Sequence, residues 1–416
     1  MGDVFVIAVG MTKFDKWPDK SIKQLSADAL KAVFEDSPVP KERIEAAWFG
    51  NAGWGMSDFQ HCIRGQVAML PFGIQGIPIM NVENACAGGS NAFHGAWMGI
   101  KAGLYDVTLA LGVEKLFDPK DKKRTMEGFI SGTDVEVTGK IIEAMKADAA
   151  RKREQLIAEG KLKPGEKEKE RSAFMDIYAM GARMHMQKYG TTQRQLAAIG
   201  AKNHNHGALN PYAQYQFPMT VEEVMKDILV AFPLTRSMCA PIGDGAAAAI
   251  LCSEKFVKTI DSSRAVKIRA SVIQSGMMHG PNDPGIGERC GKRAYEMAGL
   301  GPKDIQVAEL HDATAYGEMA LCEELEFCQK GEGGPFAESG ATALGGKLPL
   351  NTSGGLECRG HPIGATGLAQ INEIVTQLRT EAGKRQVSGA RIGLTENGGG
   401  FLGMEEAAMA IHIFEK

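Results

Sequence analysis

An order of strand-like and helix-like segments runs through the N-terminal part of the chain and begins again at Ala265, and this repetition constrains the fold more than any other feature. Val4-Phe-Val-Ile-Ala-Val9 is a short apolar run ending at Gly10, which predicts a strand, and an amphipathic helix of about 15 residues follows around Ile22 to Phe34. Ala46-Ala-Trp-Phe49 predicts a second strand leading into the glycine-rich Asn51-Ala-Gly-Trp-Gly55. The apolar Ile77-Pro-Ile-Met80 precedes a unit around Cys86, then come the buried strands Val107–Val113 and Gly245–Cys252. Ala265–Ile273 repeats the opening strand and Val307-Ala-Glu-Leu-His311 the second. Gly364–Arg379 takes the place of the helix after Cys86, and Arg391–Leu394 and Ala408–Phe414 are the last strands. The repeat is one of pattern, not of residue identity. Strands alternating with helices imply a sheet covered on both faces, so the fold class is α/β, built from two copies of one unit. A site shared by two such units belongs where their glycine-rich loops converge.

A chain of 416 residues is long for one core. Its net charge of −3 gives no electrostatic reason to expect nucleic acid or an anionic membrane as partner. No apolar run approaches the roughly 20 residues of a membrane span, and the N-terminus lacks a signal-peptide pattern. Val6 stands where a myristoylation signal wants Ser or Thr, and the end Ile413-Phe-Glu-Lys416 is no peroxisomal address. The 8 cysteines are scattered singly without a metal-like cluster, so a reducing cytoplasm is expected and a structural metal is not.

From Asp118 to Ala173 the character changes to dense Lys, Arg and Glu. This reads as a solvated insertion, partly helical from Val137 to Glu159 and turned by Pro164-Gly165; the other reading of its charge is a contact for an anionic phosphate. Phe174–Tyr189 and Thr191–His204 read as further helices of the insertion. Asn203-His-Asn-His206 lacks a third metal ligand at suitable spacing and is expected to cap a helix or shape a loop.

Cys86, in Asn84-Ala-Cys-Ala-Gly-Gly-Ser90, falls at a strand-to-helix junction. Free N–H groups and the dipole of a first helical turn favour a thiolate, and Gly88 and Gly89 leave room for a flat acyl group. A nucleophile is one reading; a small buried core cysteine is the other. Three loops of the second half are candidates to work with it. They are His311-Asp-Ala-Thr-Ala-Tyr-Gly-Glu318 after a strand, Asn351–Gly367 with His361-Pro362 opening a helix, and Glu396-Asn-Gly-Gly-Gly400, whose bare N–H groups can cradle an anion.

With these residues assembled, the chain resembles the thiolases, in particular the sterol-carrier-protein type (SCP-x-like), with a benzoylsuccinyl-CoA thiolase-like subunit as a narrower resemblance. The resemblance runs nearly end to end, through Val9-Gly-Met-Thr-Lys-Phe14, Asn84-Ala-Cys86, Lys202–His206, Asp244–Ala248, His311-Asp312, Asn351–Gly355, Gly360-His-Pro-Ile-Gly-Ala-Thr-Gly367 and Gly383–Val387. It implies a thiolase fold of two duplicated α/β halves in five αβαβα layers, with a loop domain inserted in the first half. Residues 1–117 and 241–260 would form the N-terminal half, 118–240 the loop domain and 261–416 the C-terminal half.

Carried over residue by residue, the resemblance makes Cys86 the acyl-accepting nucleophile and His361 the base that takes its proton. His361 with His311 or a bound water would stabilise an enolate, and the N–H groups of Cys86 and Gly398, Gly399 and Gly400 an acyl carbonyl. Coenzyme A is implied as substrate, with no bound cofactor. A homodimer core and a small zinc-ribbon and oligonucleotide-fold companion are the implied partners. One departure stands out. The second cysteine of the family is replaced, at its two usual places, by Glu396 and Ala313. Glu396 is then a candidate acid, with Cys358 and Tyr316 as others, beside the reading that Glu396 merely caps a loop. Three function classes follow: a thiolase cleaving a bulky, branched or aromatic 3-oxoacyl-CoA, with benzoylsuccinyl-CoA a candidate; a biosynthetic acyltransferase; and a non-catalytic subunit of the same fold. Arg359 is the candidate cation for a dicarboxylic substrate.

Overall fold

Side chains of alternate parity along the strands serve different helical layers, and that alternation sets the architecture. The computed structural model describes residues 2–121, 125, 128–137, 172–280, 283–403 and 405–416. The expected helix to Glu159 and the turn at Pro164-Gly165 therefore lie outside the described residues, Val137 apart. Eleven strands are present among the described residues: β1 (Val4–Met11), β2 (Ala46–Gly50), β3 (Ile79–Val82), β4 (Val107–Glu114), β5 (Leu229–Ala231), β6 (Leu234–Thr235), β7 (Gly245–Ser253), β8 (Val266–Ser275), β9 (Val307–Glu309), β10 (Ile392–Gly399) and β11 (Ala408–Glu415). Nine of them run in the order β3-β2-β4-β7-β1-β8-β11-β10-β9, and β5 and β6 form a separate hairpin.

The halves meet where β1 pairs with β8 at Phe5↔Lys267 and Val6↔Val266. Reading outward from that seam, β1-β7-β4-β2-β3 on one side mirrors β8-β11-β10-β9 on the other. A parallel bridge from Ala308 to Leu350 stands where β3 pairs with β2 in the first half. The repeated pattern in the sequence is thus a repeated topology.

Ala47, Phe49, Leu109 and Leu111 face the outer helix Ile22–Asp36 through Leu25 and Leu30. Their neighbours Ala46, Trp48 and Ala110 face the inner helices Gly88–Lys101 and Thr366–Leu378, which also meet Ile268, Val307 and Phe414 of the second half. Leu394, Ile411 and Ile413 face the helix Ile286–Ala298 through Cys290 and Ala294. Five layers result, each fully buried Leu or Phe contributing roughly 1.5–3 kcal/mol. The two inner helices begin almost in contact. A Cβ on Gly112 would lie 2.2 Å from the Gly364 carbonyl oxygen, and one on Gly89 2.9 Å from the same atom. Both obstacles are backbone, so only glycine fits, and the Cys86 and His361 loops are brought side by side.

The helices Ala173–Tyr189 and Gln193–Gly207 pack through Ala179, Leu196 and Ile199 against Ala315 and Met319 of the helix Ala315–Glu324 in the second half. His206 shapes a loop as its spacing suggested: Nδ1 lies 3.0 Å from the Asn351 carbonyl and Nε2 accepts from Leu344 N–H.

Candidate active site

After β3 the chain makes a tight elbow. Ala85 has φ +48°, a left-handed conformation that costs an alanine about 1–2 kcal/mol. Residues Ala85–Ala87 form a 3-10 turn, and the helix starts at Gly88. The elbow is tied by Asn84 Nδ2 donating to Asn91 Oδ1 at 2.6 Å and by Asn91 Nδ2 donating to the Ala87 carbonyl at 2.9 Å. The end of β10 presses on it: a Cβ on Gly399 would lie 2.2 Å from the Asn84 carbonyl oxygen. Cys86 is thereby held at the tip of a strand-to-helix turn, two residues before the helix proper.

The thiolate expected from the helix start is not what this setting favours at rest. Burial pushes the Cys86 thiol up to about 12, the carboxylates of Glu114 and Glu83 add to the shift, and the N–H groups of Gly400 and Cys86 itself only partly oppose it. Cys86 therefore needs a base.

Two imidazoles stand next to it. Sγ of Cys86 and one ring nitrogen each of His311 and His361 lie within 4.8 Å of one another. The histidine rings are 5.1 Å apart and nearly perpendicular at 88°. Their hydrogen bonds fix different tautomers. Thr366 Oγ1 donates to the Pro362 carbonyl at 3.1 Å, so it accepts from His361 Nδ1–H at 2.7 Å, which leaves the lone pair on His361 Nε2. Asn397 is oriented by Ser90 Oγ donating to its Oδ1 at 3.0 Å, so its Nδ2 donates to His311 Nδ1 at 2.9 Å. The proton of His311 is then on Nε2. One ring is set up as an acceptor and the other as a donor. Burial, with the nearby positive charge of Arg359, holds His311 down at about 4; burial, His311 and Arg359 hold His361 well below its ordinary value, so both rings are neutral at pH 7.

Residues outside the motifs hold the loops together. Glu114 accepts from Asn51 Nδ2 and from the N–H groups of Ala52, Gly53 and Gly364, tying the Asn51 loop to the His361 loop. Asp312 accepts from Leu356 N–H at 2.7 Å and from Asn203 Nδ2 at 3.0 Å. Glu114 ends a buried strand like many others, and no spacing in the sequence marked it.

Cys86 opens on a cavity of about 450 Å³ whose walls include His311, His361, Ala313, Tyr178, Glu406 and Gly398 to Gly400. A second hollow of about 370 Å³ meets Cys86 from the side of Met56, Arg64 and Phe129. Cys86, His361, His311, Gly398, Gly399 and Gly400 are thus brought together, but Glu396–Gly399 belong to β10 and pair with β11, where the sequence predicted a loop. Glu396 does not join them. On β10, Asn397 and Gly399 face the elbow, so Glu396 faces the other way, and its Oε2 accepts the backbone N–H of His311 at 2.9 Å. It stands behind His311 and lines neither hollow. Cys358 is fully buried, against Gly207. Tyr316 lines the adjoining groove and not the Cys86 cavity itself. Arg359, the expected cation for a dicarboxylic substrate, is fully buried and pairs with Glu309 at 3.1 Å, away from the cavity. Glu406 and Tyr178, which do line the cavity, lie outside every motif.

Residues 4–231 match the profile of the thiolase N-terminal domain, and residues 285–413 that of the thiolase C-terminal domain-like family. The chain belongs to the thiolase family. It is 37% identical to an acetyl-CoA acetyltransferase of Methanothermobacter thermautotrophicus over 100% of both chains. To sterol carrier protein 2 of Bos taurus it is 37% identical over 95% of this chain and 69% of that protein. To the benzoylsuccinyl-CoA thiolase subunit BbsB of Thauera aromatica it is 34% identical over 95% of this chain and 94% of BbsB. The solved Ltp2-ChsH2(DUF35) aldolase superposes with a TM-score of 0.74 at 22% identity, over 99% of this chain and 97% of that one, a likeness of fold. The protein is a thiolase-type acyltransferase of acyl-CoA, and coenzyme A is its co-substrate. Among the described residues no helix is long and apolar enough to cross a membrane.

Proposed function

We propose that this thiolase cleaves a bulky, branched or aromatic 3-oxoacyl-CoA through an acyl-Cys86 intermediate. His361 Nε2 takes the thiol proton as sulfur attacks the 3-oxo carbon, the bond to the α-carbon breaks, and its electron pair passes into the enolate of the shorter acyl-CoA. His311 Nε2–H donates to the oxyanion that develops, and the N–H groups of Cys86 and of Gly398–Gly400, where β10 ends, receive the acyl carbonyl. Glu396 acts by holding the backbone of His311. Coenzyme A then removes the acyl group.

The observation that carries a large acyl group is the space beyond Cys86. The cavity shares Phe174, Tyr178, His311, Gly400 and Glu406 with a further groove of about 860 Å³. Benzoylsuccinyl-CoA is one candidate, from the likeness to BbsB. A second reading, transfer of acetyl groups in the synthetic direction, draws on the likeness to an acetyl-CoA acetyltransferase. The ratio of kcat/KM for thiolysis of branched and aromatic 3-oxoacyl-CoA over acetoacetyl-CoA separates the two. We expect a ratio of about tenfold or more; a preference for acetoacetyl-CoA supports the second reading and removes the first.

We propose further a homodimer core, with 1–117 and 241–260, 118–240 and 261–416 as the units of each subunit. A zinc-ribbon and oligonucleotide-fold companion is supported by the likeness to an assembly containing a DUF35 chain.

A further inference from the structure

A thiolase needs a second group that gives a proton to the enolate carbon and later takes one from coenzyme A, and the thiol that does this by family pattern is missing. Ala313 presents only a methyl group to the cavity, and Glu396 lies behind His311. Of the other groups in the wall, Cys239 donates to the Thr235 carbonyl at 3.4 Å, and burial pushes the hydroxyls of Tyr178 and Tyr215 above their ordinary range. Among the described residues of that wall Glu406 is the one carboxyl. Its side chain lies directly on Gly398, where a Cβ would meet Glu406 Cγ at 3.0 Å, and Gly398 is part of the Cys86 cavity. Glu406 also lines the larger groove, so it stands where the two spaces join. Among the described residues its carboxyl pairs with no other side chain, and burial raises it from its ordinary value, partly opposed by a hydrogen bond from its own backbone N–H. Glu324, pushed up to about 8, and Glu396 stand close enough to be influenced by its charge.

We propose that Glu406 is the second acid and base of this enzyme. The inference rests on the thiolase reading above. In the first half-reaction the Cys86 proton goes to His361 while sulfur bonds to the 3-oxo carbon. The carbon–carbon bond breaks, and the Glu406 carboxyl gives its proton to the α-carbon. In the second, the Glu406 carboxylate takes the proton of the coenzyme A thiol as that sulfur attacks the acyl-cysteine, and the imidazolium of His361 returns its proton to the departing Cys86 sulfur. Both groups end as they began.

The test is rapid-quench mass analysis of acyl-Cys86 formation from the best 3-oxoacyl-CoA, in wild type, Glu406→Gln and Glu406→Ala. We expect Glu406→Gln to slow acylation by about 100-fold or more, while alkylation of Cys86 by iodoacetamide stays within about twofold of wild type. Added formate should restore part of the rate in Glu406→Ala, which loss of a merely structural contact would not allow. Acylation of Glu406→Gln at the wild-type rate overturns the proposal, as does a loss of alkylation together with acylation that formate does not relieve. A wild-type protein that forms no acyl-Cys86 contradicts the thiolase reading itself; a wild-type protein that does, with an equally fast Glu406→Gln, contradicts only the role of Glu406.

Discussion

Cys86→Ala is expected to lower thiolysis by on the order of 10⁴-fold or more, because no other thiol in the cavity can take over the acyl group. Cys239 shares the wall, but burial pushes its thiol far up and it already donates to the Thr235 carbonyl. The substitution removes one sulfur from the edge of a cavity, so the melting temperature should change little. The measurement is steady-state thiolysis of the preferred 3-oxoacyl-CoA beside thermal unfolding of both proteins. Activity that survives at a tenth of wild type or above places the nucleophile elsewhere.

The second large effect is expected for His361→Asn, with a loss of about 10²–10⁴-fold in turnover. Thr366 holds the proton on Nδ1, which leaves Nε2 as the basic nitrogen of the imidazole next to Cys86. The direction of the two shifts adds a pH signature. Burial raises the thiol to about 12 and lowers the imidazole, so near pH 7 the pair rests as thiol and neutral imidazole. Alkylation of Cys86 in the free enzyme should therefore climb with pH through the alkaline range. It should lack the plateau below about pH 6 that a thiolate–imidazolium pair produces. The alkaline climb should persist in His361→Asn while turnover falls. A fast acidic plateau in wild type that disappears in the variant would show a resting ion pair and contradict this electrostatic account.

Much of the fold was legible because burial alternates along the strands and the element order repeats. Val4–Val9, Ala46–Phe49, Val107–Val113 and Gly245–Cys252 each lie within a strand of the sheet. The bridge at Leu350 was not legible, since a single pairing leaves no run of apolar residues to read. In the site, Cys86, His361 and the Gly398–Gly400 run sit in glycine- or proline-containing motifs that are visible in local sequence, and His311 follows a strand. The state of the thiol was not readable, because desolvation and the charge of Glu114 come from elements remote in sequence. Glu396 was misplaced for a simpler reason: its carboxylate turns to the backbone N–H of His311, a partner remote in sequence that the local motif does not reveal. Glu406 escaped notice because it lies on the connection between β10 and β11, with no pattern around it.

The central claim is that Cys86 carries the acyl group. Its most direct test is intact-protein mass after brief exposure to a panel of 3-oxoacyl-CoA thioesters including benzoylsuccinyl-CoA, with peptide mapping of any adduct. The account predicts a gain of one acyl group on Cys86 that added coenzyme A discharges and that is absent in Cys86→Ala. No adduct with any substrate, with or without a companion protein, or an adduct on another residue, would contradict it.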